Sequence, residues 1–254
     1  MDVGKGIRHA GFPFLLLLSY LASCTLIRED RTRCPCLLTL RLERLPAHPV
    51  TLTLEGEGFR EEYRVDRDTC LQVPVPKGSL RWTAVAGAQA DELGCFRIPY
   101  GYDCPSLYLG GGAADTARDT AAVDVTLHKH FCTLQLEVVS PPGWGEPYRA
   151  EIRGAVAGIG PDGTPLEGDF ACRLEAGFSA RLPRQDPEAP LWLDIAMPDR
   201  VVRSFSLGTY LDKAGYDWSA PDLEDCPLEL RLSVTRLLLQ AGDWTEELPW
   251  DIDI

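Results

Sequence analysis

The sequence predicts an all-β protein, two tandem β-sandwich domains carried behind an export signal. Three observations predict it. Short runs of apolar–polar alternation recur along the 254 residues, separated by Gly and Pro turns, with a single helical stretch. The order of these runs repeats once. An apolar run at the N-terminus ends in Leu21-Ala22-Ser23-Cys24, and the chain beyond Cys24 reads as exported cargo.

The N-terminal run Phe14-Leu15-Leu16-Leu17-Leu18-Ser19-Tyr20-Leu21-Ala22 comes after Lys5 and Arg8. A positive segment, a short apolar segment and small residues at the cleavage point make a secretory signal over 1–23. The run is too short to span a bilayer, which takes about 20 residues, and Arg28, Glu29, Asp30 and Arg31 come directly after it. Leu21–Cys24 resembles a bacterial lipobox, in which the Cys is lipidated through a thioether and becomes the new N-terminus. Cys24 is therefore the expected lipidation site. Each buried methylene contributes about 0.8 kcal/mol, so two or three acyl chains hold where one holds marginally. Residues 24–35 are expected to be a tether.

Cleavage before Cys24 leaves 231 residues, enough for two domains of ordinary size. The net charge of −13 becomes −14 once the signal is removed. With no basic run, the chain is not expected to bind nucleic acid, whose phosphates need clustered Lys and Arg. The charge suits a solvated, exported surface. Nine cysteines are present; with Cys24 lipidated, eight remain, an even number open to disulfide pairing. Cys95 and Cys104 bracket a short stretch and form a candidate disulfide. Cys34-Pro35-Cys36 offers a partner for Cys70, and the other thiols can be buried and free.

Strands begin after Pro35. Leu38, Leu40 and Leu42 alternate with Thr39, Arg41 and Glu43. Val50, Leu52 and Leu54 alternate with threonines, and Glu55-Gly56-Glu57-Gly58 turns the chain. Leu71, Val73 and Val75 form a strand that Pro74 and Pro76 confine to an edge or a short piece. Lys77-Gly78 turns, and Leu80, Trp82 and Ala84 restart the alternation. Residues 87–120 read as irregular, with Gly110-Gly111-Gly112-Ala113-Ala114 in a loop. Val123, Val125 and Leu127 form the next strand.

The repeat is read from paired segments. Cys36–Glu43 is similar to Cys132-Thr133-Leu134-Gln135-Leu136-Glu137. Leu71-Gln72-Val73-Pro74 then Leu80-Arg81-Trp82 is matched by Ala180-Arg181-Leu182-Pro183 then Leu191-Trp192-Leu193. The expected domains are 36–129 and 130–254. In the second, Ser206 is the expected N-cap of a helix that Gly215 ends in the left-handed conformation. Leu228, Leu230, Leu232 and Val234 form a strand, and the chain ends on alternating Leu248, Trp250, Ile252 and Ile254.

Other chemistry is weakly indicated. His128 and His130 share one face of a strand, but spacing indicates no third ligand, and zinc takes about four; a solvated strand end is the expected reading. Cys34-Pro35-Cys36 lacks the spacing of a zinc ribbon or a redox pair. Gly154–Gly160 lacks a phosphate-loop Lys and reads as a turn. Asp217, Asp222, Glu224 and Asp225 do not fit a calcium loop and read as an acidic surface loop. No nucleophile elbow or His-Glu-x-x-His motif occurs. No catalytic residue, metal or cofactor is expected, and the protein is not expected to be an enzyme.

Three segments carry a family resemblance. They are Cys24-Thr25-Leu26-Ile27-Arg28-Glu29-Asp30 followed by Cys34-Pro35, the block Leu207–Asp225 containing Gly215-Tyr216-Asp217-Trp218, and Gly242-Asp243-Trp244 before an alternating terminal strand. In this order they resemble the FimB-type fimbrial anchor lipoproteins of Bacteroidales. Cys36 and the short chain depart from that pattern. The resemblance implies two transthyretin-like sandwich domains, an outer-membrane, surface-exposed location at the base of a fimbrium, palmitate-type lipid on Cys24, a role in cell adhesion, and fimbrial stalk subunits as partners. It further implies assembly by strand complementation. A lipid-fixed N-terminus keeps the strand near Leu38–Leu42 in its own groove. The segment Trp244–Ile254, with Trp250, Ile252 and Ile254 as pocket fillers, is the candidate donor or else the last strand of its own sheet. The alternative function is a surface glycan-binding lipoprotein of a nutrient-uptake system, with Trp144, Trp218 and Trp244 stacking on sugars.

Overall fold

A computed structural model describes residues 34–139, 149–174, 179–196, 202–232 and 236–249. The first half contains β1 (Cys36–Leu42), β2 (Val50–Gly56), β3 (Phe59–Val65), β4 (Thr69–Val75), β5 (Ser79–Ala86), β6 (Phe96–Arg97), β7 (Tyr108–Asp115), β8 (Thr120–Val125) and β9 (His128–Lys129). A three-stranded sheet, β4-β1-β8, packs on a five-stranded one, β3-β2-β5-β7-β9. The alternation in β1 is the reason. Cys36, Leu38, Leu40 and Leu42 are fully buried, while Leu37 and Arg41 face outward. β4 lies at an edge, as Pro74 requires.

The second half contains β10 (Phe131–Val139), β11 (Arg149–Ile159), β12 (Pro165–Leu174), β13 (Ser179–Pro183), β14 (Leu191–Ala196), β15 (Val202–Phe205), α1 (Leu207–Lys213), β16 (Cys226–Leu232), β17 (Arg236–Ala241) and β18 (Trp244–Pro249). Its sheets are β13-β10-β16-β17-β18 and β12-β11-β14-β15. Ser206 occupies the N-cap of α1 without a side-chain cap bond; its hydroxyl instead meets that of Thr209. Gly215 has φ +78°, and the Gly215 and Tyr216 amides bond back to the Asp212 and Leu211 carbonyls. This is the Schellman ending that glycine permits.

Seven strands of the first half, β1–β5, β7 and β8, repeat in order as β10–β16 of the second. β1 lies between antiparallel β4 and parallel β8, and β10 lies between antiparallel β13 and parallel β16. The similar segments pair antiparallel in both halves, shifted by two residues: Pro74 faces Leu37, the residue after Cys36, and Pro183 faces Phe131, the residue before Cys132. The series β3-β2-β5-β7 corresponds to β12-β11-β14-β15. Among the described strands, β17 and β18 have no counterpart beyond β8.

Two glycine-rich stretches are strands, not loops. Gly110–Ala114 lies in β7, in register with Leu80–Ala84 of β5. A Cβ on Gly110 would stand 2.0 Å from the Thr126 carbonyl oxygen, and one on Gly112 would stand 2.9 Å from the Trp82 indole nitrogen. Glycine here makes room for a crossing backbone and for an indole. Gly154–Gly158 lies in β11, where a Cβ on Gly158 would stand 2.7 Å from the Phe96 carbonyl oxygen; the turn begins only at Gly160.

The irregular stretch between β5 and β7 crosses to the second sandwich. β6 pairs with β11, and the amides of Ile98, Gly101 and Cys104 donate to the carbonyls of Ala157, Ala171 and Arg181. Ile98 and Cys104 are buried in the second core, although both precede residue 130. Phe96, Leu107, Leu109 and Ile159 form a small core between the halves. This strap corrects the expected Cys95–Cys104 bridge. Both thiols are free, as are Cys34, Cys36 and Cys70. Cys95 closes a turn on the Asp91 carboxylate, whereas Cys104 has been carried into the core with Cys132, Cys172 and Cys226. Burial raises the thiol pKa values there, to about 12 for Cys132 and Cys172.

Candidate functional site

The position of β1 is the first element of the candidate site. Its strand fills the slot between β4 and β8 completely, with Leu38, Leu40 and Leu42 at 0% exposure. Cys24, which would precede it, lies outside the described residues, as do Trp250, Ile252 and Ile254. Of the candidate donor segment, Trp244–Pro249 is described. It forms β18 and pairs antiparallel with β17 at the edge of the chain's own sheet. The Trp244 ring sits 5.9 Å from that of Tyr210, and Lys213 pairs with Glu246 at 2.9 Å, so α1 also fastens this strand.

The second element is a cleft of about 1060 Å³ between the halves. Its floor is the outer side of β5 and β7, with Arg81, Thr83 and Gly111. Its far wall comprises the β11–β12 turn, Arg184–Pro187 and the loop Trp218–Pro221. Arg184 builds that wall. It is 9% exposed and meets backbone instead of a carboxylate. Nη1 donates to the carbonyls of Trp218 (2.5 Å) and Ala220 (2.7 Å), and Nη2 to that of Pro221 (3.0 Å). Burial lowers its pKa without discharging it.

His128 and His130 both line this cleft; the His128 side chain is 40% exposed at its strand end, as expected, and His130 is half-buried. His128 Nδ1 lies 3.4 Å from Asp222, and His130 Nδ1 accepts from Arg184 Nε at 3.3 Å. His130 also packs beneath Gly163. Burial, then the positive Arg184 and His128, lowers its pKa to about 4, with Asp222 opposing. The unfolded imidazole titrates near 6.5. The folded state thus binds fewer protons, and its stability is intact above about pH 6.5 and falls as pH drops toward 4. We expect a loss of about 1–2 kcal/mol across that window, discounted for partial solvent access. Denaturant titrations of the His130→Gln variant should show a flatter pH dependence; equal slopes would refute the assignment.

The acidic loop is committed to structure. Asp222 accepts from the Lys129 amide (2.8 Å), Asp225 from the Thr133 amide (2.7 Å) and Lys129 Nζ (2.6 Å), and Asp217 from the Ser219 amide and hydroxyl. Among the described residues no group of three or more His, Cys, Asp or Glu is placed to hold a metal ion, and no helix is long and apolar enough to cross a membrane.

Of the tryptophans expected to meet sugars, Trp144 lies outside the described residues. Trp218 is buried against Tyr216, and Trp244 is half-buried. Among the described residues, the exposed aromatics are instead Tyr100 and Tyr102 on the strap, 65% and 67% exposed, and Trp192. Sequence reasoning missed Arg184. Its signal was slight, an arginine directly after the Pro183 that ends β13.

Two sandwiches, each with its central strand flanked by one antiparallel and one parallel neighbour, make up an all-β fold that solved structures share. The fimbrial anchor protein Mfa2 from Porphyromonas gingivalis superposes with a TM-score of 0.61 at 12% identity, over 84% of this chain and 99% of that one. A candidate adhesin from Bacteroides ovatus gives 0.65 at 14%, over 87% and 97%. A candidate polysaccharide-binding protein from Bacteroides thetaiotaomicron gives 0.63 at 12%, over 84% and 98%. No family model matches the chain, and no curated protein matches its sequence.

Proposed function

We propose that this chain is a lipid-anchored cell-surface protein that holds or assembles a fimbrium, acting as a structural protein without turnover. The observation that carries the reading is the seating of β1. In a strand-complementation polymer, an accepting subunit has an open groove that a neighbour's strand fills. Here the corresponding slot holds the chain's own first strand, fully buried, and begins only 12 residues after Cys24. A chain fixed in lipid at Cys24 keeps that strand and cannot accept another there. It can still donate, and Trp250, Ile252 and Ile254 are the residues assigned to that role. The shared fold with Mfa2, a fimbrial anchor, supports the reading. Lipid on Cys24 places the protein at the outer membrane, with fimbrial subunits as partners.

The test is Cys24→Ala in the native organism, comparing polymer on cells with polymer in the medium. We expect polymer to move into the medium while its subunits are made normally. Polymer that stays on the cells would overturn the anchor reading. Removing residues 250–254 separately tests donation, because unchanged assembly by a folded protein would assign that segment to its own sheet.

Glycan binding is the second reading. The cleft, the exposed Tyr100, Tyr102 and Trp192, and the fold shared with a candidate polysaccharide-binding protein favour it. Retardation of the protein in a polysaccharide-containing gel, lost in Tyr100→Ala, would establish it.

A further inference from the structure

We propose that β8 is a homodimer interface, through which two copies of this chain pair antiparallel about a twofold axis at Ala122. The internal repeat first singles out this edge. In the second sandwich β16 is covered by β17, while among the described residues nothing pairs with the corresponding outer edge of β8. An uncovered edge offers a row of main-chain donors and acceptors to another strand.

The other described edges carry features that discourage pairing. β4 has Pro74. β3 carries Arg60, Glu61, Glu62 and Arg64. β12 and β13 are bonded by the strap, through Gly101 and Cys104. β18 carries Glu246 and Glu247. β15 has four residues and β9 two. β8, Thr-Ala-Ala-Val-Asp-Val, has neither proline nor a run of charge, and its Ala121 and Val123 remain only half-buried against the first core.

The register fixes which groups are free. Leu37 donates to the Asp119 carbonyl at 2.9 Å, and Leu37 is opposite Thr120 in the parallel pair. Ala121, Val123 and Val125 therefore direct their main-chain groups toward β1, and Thr120, Ala122 and Asp124 direct theirs outward. An antiparallel pairing centred on Ala122 sets Thr120 of each copy opposite Asp124 of the other, a hydroxyl facing a carboxylate. It sets Ala121 opposite Val123 on the core side. No like charges oppose each other, and the surface is self-complementary, as a twofold interface requires.

The test uses the full chain purified in detergent. Sedimentation should give a concentration-dependent dimer. Ala122→Pro removes an outward amide that no native ladder bond uses, and should leave a folded monomer. Should proline disturb folding, the surface changes decide. Thr120→Asp, set against Asp124 of the partner, should raise the dimer dissociation constant roughly fivefold, and Thr120→Lys should lower it. In a Cys34→Ser, Cys70→Ser background, Ala122→Cys should form a dimer-sized disulfide with copper–phenanthroline and dioxygen, because opposed hydrogen-bonded residues lie about 5.5 Å apart. Asp115→Cys on the other sheet should not. A monomer at every concentration, or a dimer indifferent to both Thr120 variants, would overturn the proposal.

Discussion

Gly110→Ala is expected to prevent folding or to destabilise the protein by about 3 kcal/mol or more. The added Cβ would stand 2.0 Å from the Thr126 carbonyl oxygen, 3.0 Å from its carbon and 3.4 Å from the Leu127 Cα. All three are backbone atoms of the segment that carries the chain from β8 to β9, and no rotamer change relieves the contact. The neighbouring glycines give a graded control. At Gly112 the clash is with the Trp82 ring, at 2.9–3.0 Å, and a buried indole must tilt. At Gly111 the nearest atom is 3.5 Å away, an ordinary contact. Gly111→Ala should be neutral or stabilise by up to about 1 kcal/mol, since glycine within a strand is entropically costly. Denaturant unfolding of the three variants should rank Gly110, Gly112, Gly111 from most to least harmful. A mild effect at Gly110 would mean that the crossing segment lies elsewhere.

Arg184→Met should cost about 3 kcal/mol, read as a fall in melting temperature of roughly 10 °C. Methionine keeps the apolar stem but leaves the carbonyls of Trp218, Ala220 and Pro221 without the donors that now reach them at 2.5–3.0 Å. Buried acceptors stripped of a charged partner are more costly than the bond was favourable. Arg184→Lys should recover little, because an ammonium lacks the planar fork that reaches several carbonyls together. Full recovery by lysine would show that charge alone holds the loop.

The strands with regular side-chain alternation, β1, β2 and β5, were legible in the sequence because each has one dry face. The repeat was legible for the same reason. Leu38 and Leu40 of β1, like Leu134 and Leu136 of β10, lie on the buried face of a central strand, so the same demand for burial falls on both. β7 was hidden because alternation is written in side chains, and Gly110–Gly112 has none. The strap was hidden because its partners, Ala157, Ala171 and Arg181, lie more than 50 residues away, and no local period reports a distant edge. The Cys95–Cys104 expectation failed through the same feature. Closeness in sequence suggested a closed loop, but an extended path separates the two thiols. Arg184 could not be distinguished from a surface arginine until its carbonyl partners were in place.

The seating of β1 also has a mechanical meaning. A load applied to the N-terminus is directed along the axis of β1, while its hydrogen bonds to β4 and β8 lie across that axis on both sides. Such a pull strains the two ladders together, in shear, instead of opening them one rung at a time from an end. Four buried side chains, Cys36, Leu38, Leu40 and Leu42, must leave the core in the same event. The resistance to extraction is then set by the rate of forced unfolding, not by the equilibrium stability of the fold. A strand placed centrally between two neighbours is well suited to bear tension.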